Sequence, residues 1–138
     1  MAKTHPHIEF PTGQQLAELA ELVAGRADEM ARLYLALHEL VIATVPEVRF
    51  SVDEKDASIG YGAHQFGYNG WGMAAVTPYR RWVSLTLLDG SQLEDPQGLL
   101  IGEAVMRHVK PKALDEFEQQ RDAIEGLLRA AVQLHAGQ

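Results

Sequence analysis

The stretch Val48-Arg49-Phe50-Ser51-Val52-Asp53 alternates apolar and polar side chains. A period of two is what a half-buried strand requires, because successive side chains point to opposite sides of a sheet. Trp82-Val83-Ser84-Leu85-Thr86-Leu87-Leu88 repeats the pattern, with Val83, Leu85 and Leu87 on one side and Trp82, Ser84 and Thr86 on the other. Val105 to Lys110 splits in the same way, Val105, Arg107 and Val109 against Met106, His108 and Lys110. Between these runs, Glu54 to Ser58 reads as a polar turn and Ile59 with Tyr61 as a second strand. Asn69-Gly70 sits between two strand-like runs and predicts a tight hairpin with positive φ at both residues, the returning strand reaching about Val76. Pro78-Tyr79 and Asp89-Gly90 mark further turns, and Pro111 ends the last strand because it has no N–H to donate.

Outward from these strands the period changes to that of a helix. Leu16, Leu19, Ala20 and Val23 form one face of a helix that Thr12 and Gln15 start as a capping box and Gly25 can close. Met30, Leu33, Leu37, Leu40, Val41 and Thr44 form the stripe of a second helix over about 27–44, which Pro46 stops. One helix kinked at Gly25 fits the same pattern. A closing helix over about 113–134 buries Phe117, Ile124, Leu127, Leu128, Ala131 and Leu134, with Asp115 and Glu116 in its first turn, where the macrodipole favours negative charge. Residues 1–11 read as a flexible N-terminal arm and 12–138 as a single domain. The expected architecture is α+β: two N-terminal helices, a curved antiparallel meander of about five strands, and a C-terminal helix packed on one face.

The 138 residues, 46% hydrophobic and 22% charged, are ordinary for a globular chain. A net charge of −7 with only 12 scattered Lys and Arg argues against nucleic acid and against an anionic membrane surface as partners. Without cysteine there are no disulfides, thiolate nucleophiles or Cys-ligated metals. No apolar leader or membrane-length run is visible, so the expected location is the cytoplasm.

Several phrases resemble the YdhG-like domain family. Ile59-Gly60-Tyr61-Gly62, Phe66 and Tyr68-Asn69-Gly70 resemble its I-x-Y-G-M-P-x-F-x-x-N-G pattern, with Ala63-His64 in place of Met-Pro. Trp82-Val83-Ser84-Leu85 is similar to its H-I-S-L strand. Leu93-Glu94-Asp95-Pro96-Gln97-Gly98-Leu99-Leu100 is similar to L-x-D-P-x-G-L-L, and Met106-Arg107-His108-Val109-Lys110 to M-R-Y-I-R. The resemblance is clearest over 46–135. It implies a frataxin-like fold, with a curved sheet and helices on one face. One member is regarded as an iron chaperone, so iron is the one cofactor it suggests; it carries over no catalytic residues.

Two constellations bear on function. Asp115, Glu118, Asp122 and Glu125 are spaced to line one face of the last helix, where a divalent cation such as iron would relieve their mutual repulsion. The bland reading is a solvated face partly neutralised by Arg121 and Arg129. The second constellation is an aromatic cluster, Tyr61, Phe66, Tyr68, Trp71, Tyr79 and Trp82, some of which could line a cleft on a sheet face; the candidate ligand-binding residues are Tyr61, His64, Trp82 and Arg107, with His108 as a further polar anchor. Core and hairpin packing is the bland alternative, and a homodimer interface would suit the same face. His38-Glu39 lacks the second histidine of H-E-x-x-H, Gly60-Tyr61-Gly62 lacks the helix and Lys of a phosphate loop, and no serine lies in a G-x-S-x-G elbow. The leading expectation is therefore a non-enzymatic module that binds iron or another divalent cation weakly. A small-molecule or partner-binding module using the cleft is the alternative.

Overall fold

A computed structural model describes Ile8–Glu9 and residues 15–136. The helices α1 (Gln15–Leu22) and α2 (Asp28–Thr44) come before the strands β2 (Phe50–Asp53), β3 (Ser58–Tyr61), β4 (Ala74–Pro78), β5 (Val83–Leu87) and β6 (Arg107–Val109), and α3 (Leu114–Gln133) closes the chain. A two-residue strand, β1 (Ile8–Glu9), falls inside the expected N-terminal arm and pairs with Val52 and Ser51 of β2. The strands form one antiparallel sheet in chain order, from β1 at one edge to β6. Ile101 adds a single bridge to His108 beyond β6. The fold is α+β, with two helices before the meander and one after it.

The period of two sorts the sheet into unlike faces. Val52, Ile59, Tyr61, Val76, Leu85, Leu87 and Val109 are buried on the side where α2 lies against β4 and β5. The expected stripe of α2 is buried in full, and Tyr34 and His38 are buried with it. α3 lies beside α2 and contributes Phe117, Ile124, Leu127, Leu128 and Ala131 to the same core. No described helix is long and apolar enough to cross a membrane.

α1 and α2 are separate helices, with the chain turning through Gly25 between them. The Thr12 half of the expected capping box lies outside the described residues. The tight hairpin at Asn69-Gly70 is not formed. β3 ends at Tyr61 and β4 begins at Ala74, and the positive φ values between them fall at Gly62, His64, Phe66, Gly67 and Gly72 instead. The Asn69 side chain accepts a hydrogen bond from the Trp71 N–H at 2.9 Å, so asparagine serves a local side-chain turn rather than a left-handed backbone.

Two polar contacts tie the layers together. Glu29, in the first turn of α2, accepts a hydrogen bond from the Leu114 N–H at 2.8 Å and so caps the start of α3. A helix N-terminus leaves four such N–H groups without intrahelical partners. In the core, His38 Nδ1 lies 2.7 Å from the Tyr61 hydroxyl, and the imidazole meets the Phe50 ring edge-on at 4.8 Å. His38 Nε2 is buried without a partner.

Two predictions follow from these contacts. Glu29→Ala should lower stability by about 1 kcal/mol in urea unfolding, the usual cost of a lost cap. Burial lowers the His38 pKa from 6.5 to about 4. Because the folded state favours the neutral ring, its contribution is complete above pH 6.5 and is lost as the pH falls toward 4, reaching roughly 3 kcal/mol. Unfolding free energies measured from pH 7 to 4 should therefore fall more steeply for the wild type than for His38→Gln.

Candidate functional site

The face of the sheet opposite the helices is floored by small side chains. Strand register places Ser51, Gly60, Ala75, Thr86 and His108 side by side in one row across the sheet. Paired residues in an antiparallel sheet point the same way, so this row is one continuous surface. A parallel row holds Ser58, Thr77 and Ser84, with the Ser58 and Thr77 hydroxyls 2.9 Å apart. Residues this short leave room above the sheet that long side chains would fill.

That room is a cavity of about 270 Å³ lined by Asp53, Asp56, Ser58, Gly60, Trp71, Ala75, Thr86, Leu88, Met106 and His108. Trp71 and Met106 border it, 40% and 49% exposed. Trp71, Leu88 and Met106 also line a neighbouring cavity of about 530 Å³ that contains Tyr68, Asn69, Asp89 and His135. In this second cavity His135 Nε2 lies 2.9 Å from an Asp89 carboxylate oxygen.

Each wall is held by its own local structure. His108 Nδ1 hydrogen-bonds the Thr86 hydroxyl at 2.8 Å, which fixes the imidazole against the floor. Burial, and then the charge of Lys110, lower the His108 pKa, so the ring is neutral at pH 7. Asp53 and Asp56 sit at and just beyond the end of β2, where each accepts a backbone N–H at 2.9 Å, from Lys55 and Ser58 respectively.

Trp71 is carried by the segment from Gly62 to Met73, which is strongly specified. Gln65 Oε1 accepts from the Arg49 N–H at 2.7 Å, and Gln65 Nε2 donates to the Glu47 carbonyl at 3.1 Å. The Tyr68 hydroxyl donates to the Ala131 carbonyl at 2.8 Å, anchoring the segment on α3. His64 and Phe66 have φ of 59° and 53°, a left-handed backbone that costs non-glycine residues roughly 1–2 kcal/mol each. Strain of this kind persists only where the surroundings impose it, and it clusters at binding sites.

The four residues expected to bind a ligand are not brought together. Tyr61 is on the helix side, fully buried against His38 and Phe50, because its register with Ala74 places it in the core row. His64 is exposed in the segment after β3, where its ring packs over Gly70. Arg107 is on the face opposite His108. Its Nε donates to the Ala104 carbonyl at 2.6 Å, and its Cβ lies only 2.6 Å from where a Gly90 side chain would begin. Trp82 is on the open face as expected, but away from the cavity. It stacks on Tyr79 at 5.1 Å, lies under the Lys110 ammonium and donates to the Ser84 hydroxyl. Of the residues read from the sequence for such a cleft, Trp71 and His108 line the cavity.

Asp115, Glu118, Asp122 and Glu125 do lie along α3. Arg121 approaches Glu118 at 3.4 Å and Arg129 approaches Glu125 at 3.2 Å, so two of the four are already engaged. No group of three or more His, Asp or Glu side chains is gathered to hold a metal ion among the described residues. Carboxylates strung along a helix fan outward, and a metal site needs further ligands from a second element.

Comparison with known proteins adds no relative: no family model, no curated protein and no solved structure gives a match.

Gly72 decides whether the Trp71 segment can form. Its φ is +83°, and an added Cβ would lie 2.4 Å from the Tyr61 carbonyl oxygen. Gly98 also has a positive φ, +66°, but nothing lies within 4 Å of its Cβ position. Gly72→Ala should cost roughly 2–4 kcal/mol and shift Trp71 fluorescence, whereas Gly98→Ala should cost about 1 kcal/mol and leave it unchanged. Paired urea titrations followed by tryptophan emission test both.

Proposed function

We propose that this protein is a small-molecule-binding module whose ligand sits on the open face of the sheet, between the Trp71 segment and β6. The observation that supports the reading most directly is the combination of a small-residue floor with a large-residue rim. Gly60, Ala75 and Thr86 leave a recess bordered by Trp71, Leu88 and Met106, with no helix residue lining it among the described residues. Apolar walls with a few fixed polar groups are the usual make-up of a ligand site. The His108–Thr86 pair and the turn carboxylates supply those polar groups here.

Weak binding of iron or another divalent cation along α3 ranks below this reading, because Arg121 and Arg129 already neutralise two of its four carboxylates. The proposed role is non-enzymatic binding, with the Nδ1 of His108 engaged by the Thr86 hydroxyl rather than by a carboxylate.

The test is an amide-shift titration of the full chain with indole, a flat probe of suitable size. Shifts should concentrate at Ala75, Thr86, His108 and Trp71. Ala75→Leu, which fills the floor, should weaken binding at least tenfold with a stability change within about 1 kcal/mol. Shifts elsewhere on the molecule, or binding untouched by Ala75→Leu, would refute the reading.

A further inference from the structure

We propose that the protein carries a second site, where the α1–α2 turn meets the β4–β5 turn, for a small phosphate monoester with a flat body. A recess of about 410 Å³ there is lined by Gly25, Arg26, Ala27, Tyr79, Arg80 and Arg81. It shares no lining residue with the open-face recess. Every charged side chain lining it is an arginine, and no Asp or Glu lines it among the described residues. The chain has 12 Lys and Arg against 19 Asp and Glu, so three guanidinium groups around one recess run against its overall balance. Among the described residues, none of the three side chains takes part in a hydrogen bond or an ion pair. Arg32, Arg121 and Arg129, by contrast, each meet a carboxylate oxygen, at 3.0, 3.4 and 3.2 Å.

Local structure places these groups. The Tyr79 N–H donates to the Trp82 carbonyl at 2.9 Å, so Arg80 and Arg81 are the central residues of a tight turn. The Tyr79 and Trp82 rings stack at 5.1 Å and brace that turn. Arg26 comes from the other turn, where its backbone N–H donates to the Val23 carbonyl at 3.0 Å. The acids next to it in sequence are committed elsewhere, Asp28 to Arg32 and Glu29 to the Leu114 N–H. Gathered like charges repel, and an anion seated between them relieves that repulsion. A phosphate monoester carries roughly two negative charges at pH 7 and three acceptor oxygens, which suit several guanidinium forks better than one carboxylate does. Tyr79, 45% exposed, offers an aromatic surface in the same recess on which a flat ring can stack.

Three probes separate the two halves of such a ligand: adenosine 5′-monophosphate, adenosine, and inorganic phosphate. In amide-shift titrations of the full chain at pH 7 and low salt, the monophosphate should move the signals of Gly25 to Ala27 and Tyr79 to Arg81. It should bind about tenfold more tightly than adenosine, which lacks the anion, and about threefold more tightly than inorganic phosphate, which lacks the ring. Arg80→Gln/Arg81→Gln should weaken monophosphate binding about fivefold and Arg26→Gln about twofold. Arg129→Gln removes the same charge from a distant ion pair on α3 and should leave binding unchanged. Tyr79→Leu should erase the advantage of the monophosphate over inorganic phosphate. Equal binding of the monophosphate and adenosine, or shifts confined to other parts of the molecule, would overturn the proposal. An Arg129→Gln loss as large as that of Arg26→Gln would overturn it too, because net charge alone would then account for the binding. Because the two recesses share no residue, failure here leaves the open-face reading standing, and failure of the indole titration leaves this one.

Discussion

The structure depends on one asymmetry: among the described residues, its helices α2 and α3 pack on one side of the sheet and not on the other. A strand with β-branched and aliphatic residues at every second position must bury that face, and α2 with α3 supplies the cover. The intervening positions are then released from the core. In β3, β4 and β5 they are Ser58, Gly60, Ala75, Thr77, Ser84 and Thr86, too small to close over the sheet themselves. The cavity on this face is a consequence of the same alternation that builds the core.

The two faces also treat polar groups differently. On the covered side, His38 Nδ1 and the Tyr61 hydroxyl pair with each other, and burial holds the imidazole neutral and the phenol well above its usual range. This pair is a structural device whose removal would leave an orphan in the core. On the open side, the Thr86–His108 and Ser58–Thr77 contacts are half-buried and remain within reach of water or a ligand. Similar residue types are thus sealed into the core on one face and left partly solvent-exposed on the other.

The segment from Gly62 to Met73 links the faces. Tyr68 fastens it to α3 through the Ala131 carbonyl, while Gln65 fastens it to the chain before β2. Both anchors join parts of the chain distant in sequence, and together they impose the left-handed backbone at His64 and Phe66. The result is a tryptophan carried on a segment anchored at both ends.

Periodicity alone was enough to determine the class of this fold. Alternation in 48–53, 82–88 and 105–110 marked the strands and divided their faces correctly, and the 3.6-residue stripes located α2 and α3 to within a residue or two. These signals are local, and each states which side of an element is apolar. What tertiary structure decided was position. Asn69-Gly70 carried the local mark of a tight hairpin, yet distant anchors at Arg49, Glu47 and Ala131 drew the segment into a longer path. Tyr61 and Arg107 are the residue types of a binding site, but register turned both to the face opposite His108. The Asp53–Asp56 turn, Trp71 and Met106 come from separate parts of the chain and meet only once the strands pair. Register and long-range packing are properties of pairs of segments, and no single segment carries them.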